Sequence, residues 1–289
     1  MNEYITKYPK IPRVGHRNAK GLLPGRVVVQ EKVDGSNIQF GVFDGELVIC
    51  SRNQTIDQDD PGMFAKAVES LQGRKDALTP GFVYRGEYLQ SKRHNVIEYG
   101  SLPAGHIVLF EVKPRPHAPY FTPCESAAQL GFDIAPVLFE GYVGSAEELD
   151  QYLEGESFLG GMKEGIVVKS LTDEDLRAKM VVDEFKEKMN AKQSKPRAAT
   201  EREQVQVLSE EYATPARWMK AIQRLREQGQ LANSPKDIGP IIKTIQADVM
   251  EEEGDEIREA VFDLFRKQVM NGIISGFPQW YQKFLAEEQ

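Results

Sequence analysis

Lys32-Val33-Asp34-Gly35 follows directly on the apolar run Val27-Val28-Val29, so a primary amine stands at a strand end just before a turn. Such a lysine is either a nucleophile delivered to a cleft or a surface lysine ahead of a turn, and the motif alone does not separate the two. A free lysine has a pKa near 10.4, so nucleophilic use requires desolvation or nearby positive charge to lower it. Further chemistry-bearing residues recur at strand-like ends downstream. Ser51-Arg52 lies one hairpin later, Tyr84-Arg85-Gly86-Glu87 ends one strand and Leu109-Phe110-Glu111-Val112 another. Glu164-Gly165-Ile166-Val167-Val168-Lys169 carries a carboxylate at one end and an amine at the other, and Lys179 lies in the next strand. Each also has a plain reading. Glu87 and Glu164 could form structural ion pairs, and Phe110 could be a core aromatic. Asp57, Asp59 and Asp60 read as a solvated loop.

The elements that would position these groups are short strands with few helices. Strand-like runs cover Arg26–Gln30, Asn37–Val42, Glu46–Ser51, Phe82–Tyr88, Ile107–Val112, Ala135–Phe139, Gly165–Lys169 and Ala178–Val182. Asp44-Gly45 between the second and third predicts a two-residue hairpin. Pro61–Leu71 predicts a helix with Phe64, Val68 and Leu71 on one face. Ser145 and Glu148 form a capping-box pattern that predicts a helix to about Leu153, and another helix is expected over Asp183–Asn190. The polar stretch 191–200 marks a domain boundary. Beyond it the pattern is helical. Thr214-Pro215 and Ser234-Pro235 are start signals, Gly229 is a stop, and Asp255 is a further candidate cap. The stripes Trp218, Met219, Ile222, Leu225; Ile241, Ile242, Ile245, Val249; and Ile257, Val261, Leu264, Phe265, Val269 are expected to be core.

Composition narrows the class. The 289 residues are 40% hydrophobic and 28% charged, as in soluble globular proteins. No run approaches the roughly 18 apolar residues of a membrane span, and no secretory signal is visible at Met1-Asn2-Glu3-Tyr4. Cys50 and Cys124 are single and far apart, which suits a reduced cytoplasmic protein. His16, His94, His106 and His117 show no metal-ligand spacing and receive no role. Net charge is -8, with 25 basic and 28 acidic residues up to position 200 and 11 and 16 after it. Bulk charge therefore does not advertise nucleic acid. Lys186, Lys188, Lys192, Lys195 and Arg197 form a local basic cluster that also suits a solvated linker.

In order and spacing, the strand-end residues between about 30 and 185 resemble the covalent nucleotidyltransferase superfamily of ligases and mRNA capping enzymes. Glu31-Lys32-x-x-Gly35-Ser36-Asn37, Gly86-Glu87 and Asn95-Val96-x-x-Tyr99-Gly100 narrow the resemblance to the RNA ligase 2 family, whose members seal nicks in duplex RNA. The similarity extends to Pro235-Lys236-Asp237-Ile238-Gly239. DNA ligases and capping enzymes typically follow this domain with a β-barrel, whereas 200–289 offers helical stripes. The resemblance implies an α+β fold. An ATP-grasp-like nucleotidyltransferase domain of antiparallel sheets with flanking helices would occupy 1–195, and a small all-α, RNA-positioning domain 203–289.

It also implies roles. Lys32 looks like the nucleophile that carries AMP, and Glu87 like the carboxylate on the ribose hydroxyls. Phe110 looks like the aromatic that stacks on adenine, and Lys169 and Lys179 like phosphate contacts. Glu164 looks like the carboxylate that organises the lysine and a metal. Arg52 and Asn37 look like residues that engage the RNA end, Arg52 also contacting nucleotide, and Glu31 matches as a nucleotide-site residue. ATP and magnesium, which manganese can replace, are the implied cofactors, and RNA, as a nicked duplex, the implied partner. Lys169, Lys179 and magnesium would lower the pKa of Lys32 and offset phosphate charge. Two positions depart from the family pattern. Lys179-Met180-Val181 has one lysine where two are usual, and Asp34 stands where the phage branch has histidine. A DNA ligase, a GTP-using capping enzyme and an inactive nucleotide- or RNA-binding module are the alternatives.

Overall fold

The computed structural model describes residues 4–114, 130–182 and 201–287. The helix expected over Asp183–Asn190, the boundary at 191–200, the basic cluster from Lys186 to Arg197, Cys124 and His117 lie outside the described residues. Those described form two compact units, one holding the residues up to 182 together with Gln223–Leu231, the other 201–222 and 232–287.

The first unit contains β1 (Gly25–Lys32), β2 (Ser36–Phe43), β3 (Glu46–Ser51), α1 (Ala65–Gln72), β4 (Phe82–Tyr88), β5 (Ile107–Pro114), β6 (Asp133–Ile134), β7 (Val137–Val143), β8 (Gly165–Ser170) and β9 (Arg177–Val181). They form a four-stranded sheet in the order β7-β1-β8-β9 and a five-stranded sheet in the order β3-β2-β4-β5-β6. All pairs are antiparallel except β5 with β6. The Asp44-Gly45 turn has φ of 51° and 83°, the backbone that Asp-Gly tolerates best and that a tight hairpin requires.

Side chains alternate between the faces of a strand, so each sheet has two chemistries. Ile38, Phe40, Ile49, Tyr84, Tyr88 and Leu109 of the five-stranded sheet pack with Phe64, Val68 and Leu71 of and beside α1. Each such buried side chain contributes about 1.5–3 kcal/mol relative to exposure. Val27, Val29, Ile166, Val168 and Ala178 form a second core on one face of the smaller sheet. The other face carries the polar residues. Lys32 pairs with Gly165, Val28 with Lys169, and Lys169 with Arg177, while Val167 lies between Gln30 and Lys179. Cross-strand partners share a face, so Gln30, Lys32, Lys169, Arg177 and Lys179 project together. Asn37 opposite Glu87, Gln39 opposite Arg85 and Arg85 opposite Glu111 form the corresponding face of the larger sheet.

Three local expectations are corrected. The segment after Ser145 forms a 3-10 helix, Glu147–Tyr152, without a side-chain cap, because Ala146 rather than Ser145 occupies the capping position. The strand expected from Ala135 begins at Val137. Asp255 starts no helix but lies inside a 36-residue one.

The helical unit is built from α2 (Glu201–Tyr212), α3 (Pro215–Glu227), α4 (Ile238–Ile273) and α5 (Phe277–Glu287), the last turns of α3 belonging to the first unit. Thr214 accepts from the Arg217 amide at 3.3 Å, and Ser234 with Asp237 forms a capping box before α4. Of the apolar stripes expected to be core, Leu225 is buried, but Trp218, Ile242, Val261 and Val269 are exposed. Ionic side chains hold the centre instead, with Arg217 against Asp248, Glu252 and Glu253, and Lys220 against Asp248 and Glu252 at 3.0 and 2.5 Å. Among the described residues no helix is long and apolar enough to cross a membrane.

Candidate active site

Lys32 is the last residue of β1, and the turn after it is pinned from several sides. A methyl on Gly35 would stand 2.8 Å from the Tyr88 carbonyl oxygen, so only glycine lets the chain pass there. Asp34 accepts from the amides of Val96 and Ile97 at 2.7 and 2.8 Å and from Asn95 Nδ2 at 3.2 Å. Its own amide donates to the Tyr99 hydroxyl at 2.7 Å. The Asn95-Val96 and Tyr99-Gly100 signature is thus the clasp of the turn that follows Lys32.

The Lys32 amine is bound by carboxylates. Its Nζ lies 2.7 Å from each oxygen of Glu164. Burial acts to lower its pKa, but Glu164, Glu87 and Asp34 outweigh burial and hold it above the usual lysine value. This corrects the expectation that Lys169 and Lys179 depress it. In the structure the nearest charges to the amine are negative, and Lys169 is engaged elsewhere. Burial likewise pushes Glu164 up against the pull of Lys32 and Lys179. Glu87 is pushed up to about 7 by burial, with Lys32 and Arg52 opposing and Glu164 and Glu227 adding to the rise.

Lys169, 2% exposed, donates to the Phe110 carbonyl at 3.0 Å and lies 3.7 Å from Glu111. Glu111 is fully buried among cations, paired with Arg85 and, at 3.2 Å, Arg177. Burial acts to raise its pKa, but Lys169, Arg85 and Arg177 hold it below the usual carboxylate value. Burial brings Lys169 down to about 8 despite Glu111. Phe110 is the extra residue of a β-bulge, since Arg85 pairs with Glu111 and Gly86 with Leu109. A bulge re-aims its side chain. The ring is partly buried, 5.4 Å from the Tyr8 ring and 5.2 Å from Lys169 Nζ.

The remaining candidates differ in setting. Glu31 faces away from Lys32, accepting from Ser157 Oγ at 2.5 Å and from the Phe158 amide at 3.3 Å. Asn37 is 8% exposed and neither of its amide atoms has a hydrogen-bond partner; the same holds for Gln30 at 1%. Arg52 lies just beyond β3, near enough to Glu87 and Glu227 to act on both. Lys179 acts on Glu164 from β9.

Several residues without a sequence-derived role also converge here. His94 accepts from the Gln90 amide at Nδ1, 3.0 Å, so its neutral ring carries a proton on Nε2, 2.8 Å from Ser36 Oγ. The Ser36 hydroxyl donates to Glu227, and Gln223 donates to Ser36 Oγ at 3.2 Å. Burial lowers His94 to about 4. Arg85 and Glu111 sat inside quoted motifs, so their pairing could have been anticipated. Tyr8, His94, Gln223 and Glu227 lie outside any motif and offered no such sign. Among the described residues no group of three or more His, Cys, Asp or Glu side chains is arranged to hold a metal ion alone.

The sequence model of the RNA ligase family matches residues 25–181, which span every strand of both sheets. Among curated proteins, none matches the sequence. Among solved structures, the chain resembles a lysine-to-alanine variant of the Naegleria gruberi RNA ligase with ATP and Mn, at a TM-score of 0.52 and 21% identity over 65% of this chain and 59% of that one. A glutamate-to-alanine variant of the same enzyme with ATP and Mn gives 0.51 at 19% identity, with the same coverage. At these identities the likeness is one of fold, and the chain spans under two thirds of those neighbours' length.

Proposed function

Since this chain belongs to the RNA ligase family, we propose that it is an ATP-dependent RNA ligase that joins RNA 3′-hydroxyl and 5′-phosphate ends through AMP carried on Lys32. The observation that carries this reading is the Lys32 amine at the strand end, partly buried and held 2.7 Å from both oxygens of Glu164. Lys32 Nζ, once neutral, attacks the α-phosphate of ATP and releases pyrophosphate. AMP passes from Lys32 to an RNA 5′-phosphate. A 3′-hydroxyl then attacks that activated phosphate and expels AMP.

The side chains suit these steps. The unpartnered amides of Gln30 and Asn37, and the crowded carboxylates Glu87 and Glu164, are groups that want donors, acceptors and cations. Such a set fits a nucleotide with a divalent metal, because magnesium binds through one or two carboxylates plus substrate phosphates. Magnesium, or manganese in its place, would be held by Glu164 and would supply the positive charge that frees Lys32 from its carboxylates and leaves burial to favour the neutral amine. Glu87 takes the ribose hydroxyls, and Phe110, projected by its bulge, offers a face to adenine. Lys169 and Lys179 contact phosphate, with Lys169 exchanging Glu111 for it. Glu31 supports the nucleotide site by anchoring the Ser157-Phe158 turn behind Lys32. Asn37 and Arg52 engage the RNA end. A nick in duplex RNA is the proposed substrate and the cytoplasm the proposed location, with residues 203–289 helping to position the RNA.

The test is a sealing assay with ATP or GTP on single-stranded RNA, nicked duplex RNA, an RNA-ended DNA nick and nicked DNA. Sealing of nicked duplex RNA with ATP supports the reading. Sealing of DNA alone, use of GTP, or nucleotide binding without an adduct refutes it.

A further inference from the structure

We propose that the C-terminal half of α4 and all of α5 form a self-association surface whose occupant is the same surface of a second copy of this chain. Every described side chain from Gln268 to Ala286 is exposed. Yet the segment is not polar. Phe277, Trp280, Tyr281, Phe284 and Leu285 recur at the spacing of one helix face, and Val269, Met270, Ile273 and Ile274 continue the apolar surface into α4. Phe277 stacks with Trp280 and Tyr281, at ring-centroid distances of 6.1 and 5.7 Å, and Trp280 with Phe284 at 5.4 Å.

An isolated helix of this length is marginal in water, and most helical stability comes from packing an apolar face. Nothing among the described residues buries this one. The exposed parts of Phe262 and the nine side chains just named amount to roughly 1,000 Å², against about 800 Å² per partner in a standard stable interface. Chemistry selects the occupant. Between Glu256 and Glu287 the chain carries four acidic and four basic residues. RNA would ask for an excess of cations beside the aromatics. A lipid surface would ask for a cationic polar face, whereas α5 has only Lys283 as a base. A neutral helix with mixed charges and one apolar face is complementary to its own copy, and closed two-fold pairing buries the same patch on both partners.

The test is light scattering on the full chain across a concentration series. The expected mass is twice 32.6 kDa. Trp280→Glu with Phe284→Glu should return it to 32.6 kDa with the circular dichroism and adduct formation of the wild type retained, while Trp218→Glu, exposed on α3, should leave the dimer intact. A photo-cross-linking residue at Trp280 gives a second readout that does not depend on a folded double variant, and should yield a species of twice the chain mass. A monomeric wild type without that cross-link overturns the proposal, including one whose tail is protected by RNA or by anionic vesicles. So does a dimer indifferent to the tail substitutions.

Discussion

Glu87→Gln should stabilise the protein above neutral pH and not in acid. Burial, with Glu164 and Glu227 nearby, pushes Glu87 up to about 7 from 4.5 despite Lys32 and Arg52. The folded chain therefore keeps a proton that the unfolded chain has released across that window. Stability from this group is fully present below 4.5 and is lost as pH rises through about 7. At about 1.4 kcal/mol per pK unit, less a discount for partial exposure, the loss is roughly 2–3 kcal/mol. Glutamine keeps the shape and cannot ionise. The assay is urea unfolding of both proteins without nucleotide at a series of pH values. The stability of the variant relative to wild type should rise by that amount between about pH 4.5 and 8. A difference that stays constant across the range would show that Glu87 is not held protonated by its surroundings, and would undo the account of a site crowded with carboxylates.

His94→Asn should flatten the acid side of the stability profile. Burial lowers His94 from 6.5 to about 4, so its contribution is present above 6.5 and lost as pH falls through about 4; urea midpoints below pH 6.5 check this. Glu111→Ala leaves Arg85, Lys169 and Arg177 without their shared buried carboxylate, and thermal unfolding should report a loss of about 3–5 kcal/mol. Asp34→Ala removes the acceptor for the Val96 and Ile97 amides, so unfolding should show about 2–3 kcal/mol lost and adduct formation should fall with it.

The two sheets were largely legible because alternation and turn chemistry are local. The Val27-Val28-Val29 run, the Asp44-Gly45 turn and the Phe64, Val68, Leu71 face all lie where period and turn residues put them. The helix after Ser145 failed because a cap needs the backbone to enter the helix at that residue, and here it enters one later. In the tail, periodicity identified helices but not what their stripes meet, and Arg217 with its acidic partners took the place of an apolar core. That Lys32, Glu87 and Glu164 share one neighbourhood could be read from motif order, but the sign of the electrostatics there could not. Which charges stand nearest Lys32 depends on where Lys169 turns, and Glu111, distant in sequence but adjacent in space, claims it. The meeting of Ser36 with His94, Gln223 and Glu227 was beyond reach because it forms only after residues 191 apart in sequence are folded together.

The most direct measurement is peptide mapping by mass spectrometry after the protein is incubated with ATP and magnesium. One AMP on the peptide containing Lys32, lost in Lys32→Ala, is the predicted result. An adduct on another residue, or one that persists in Lys32→Ala, would contradict the account.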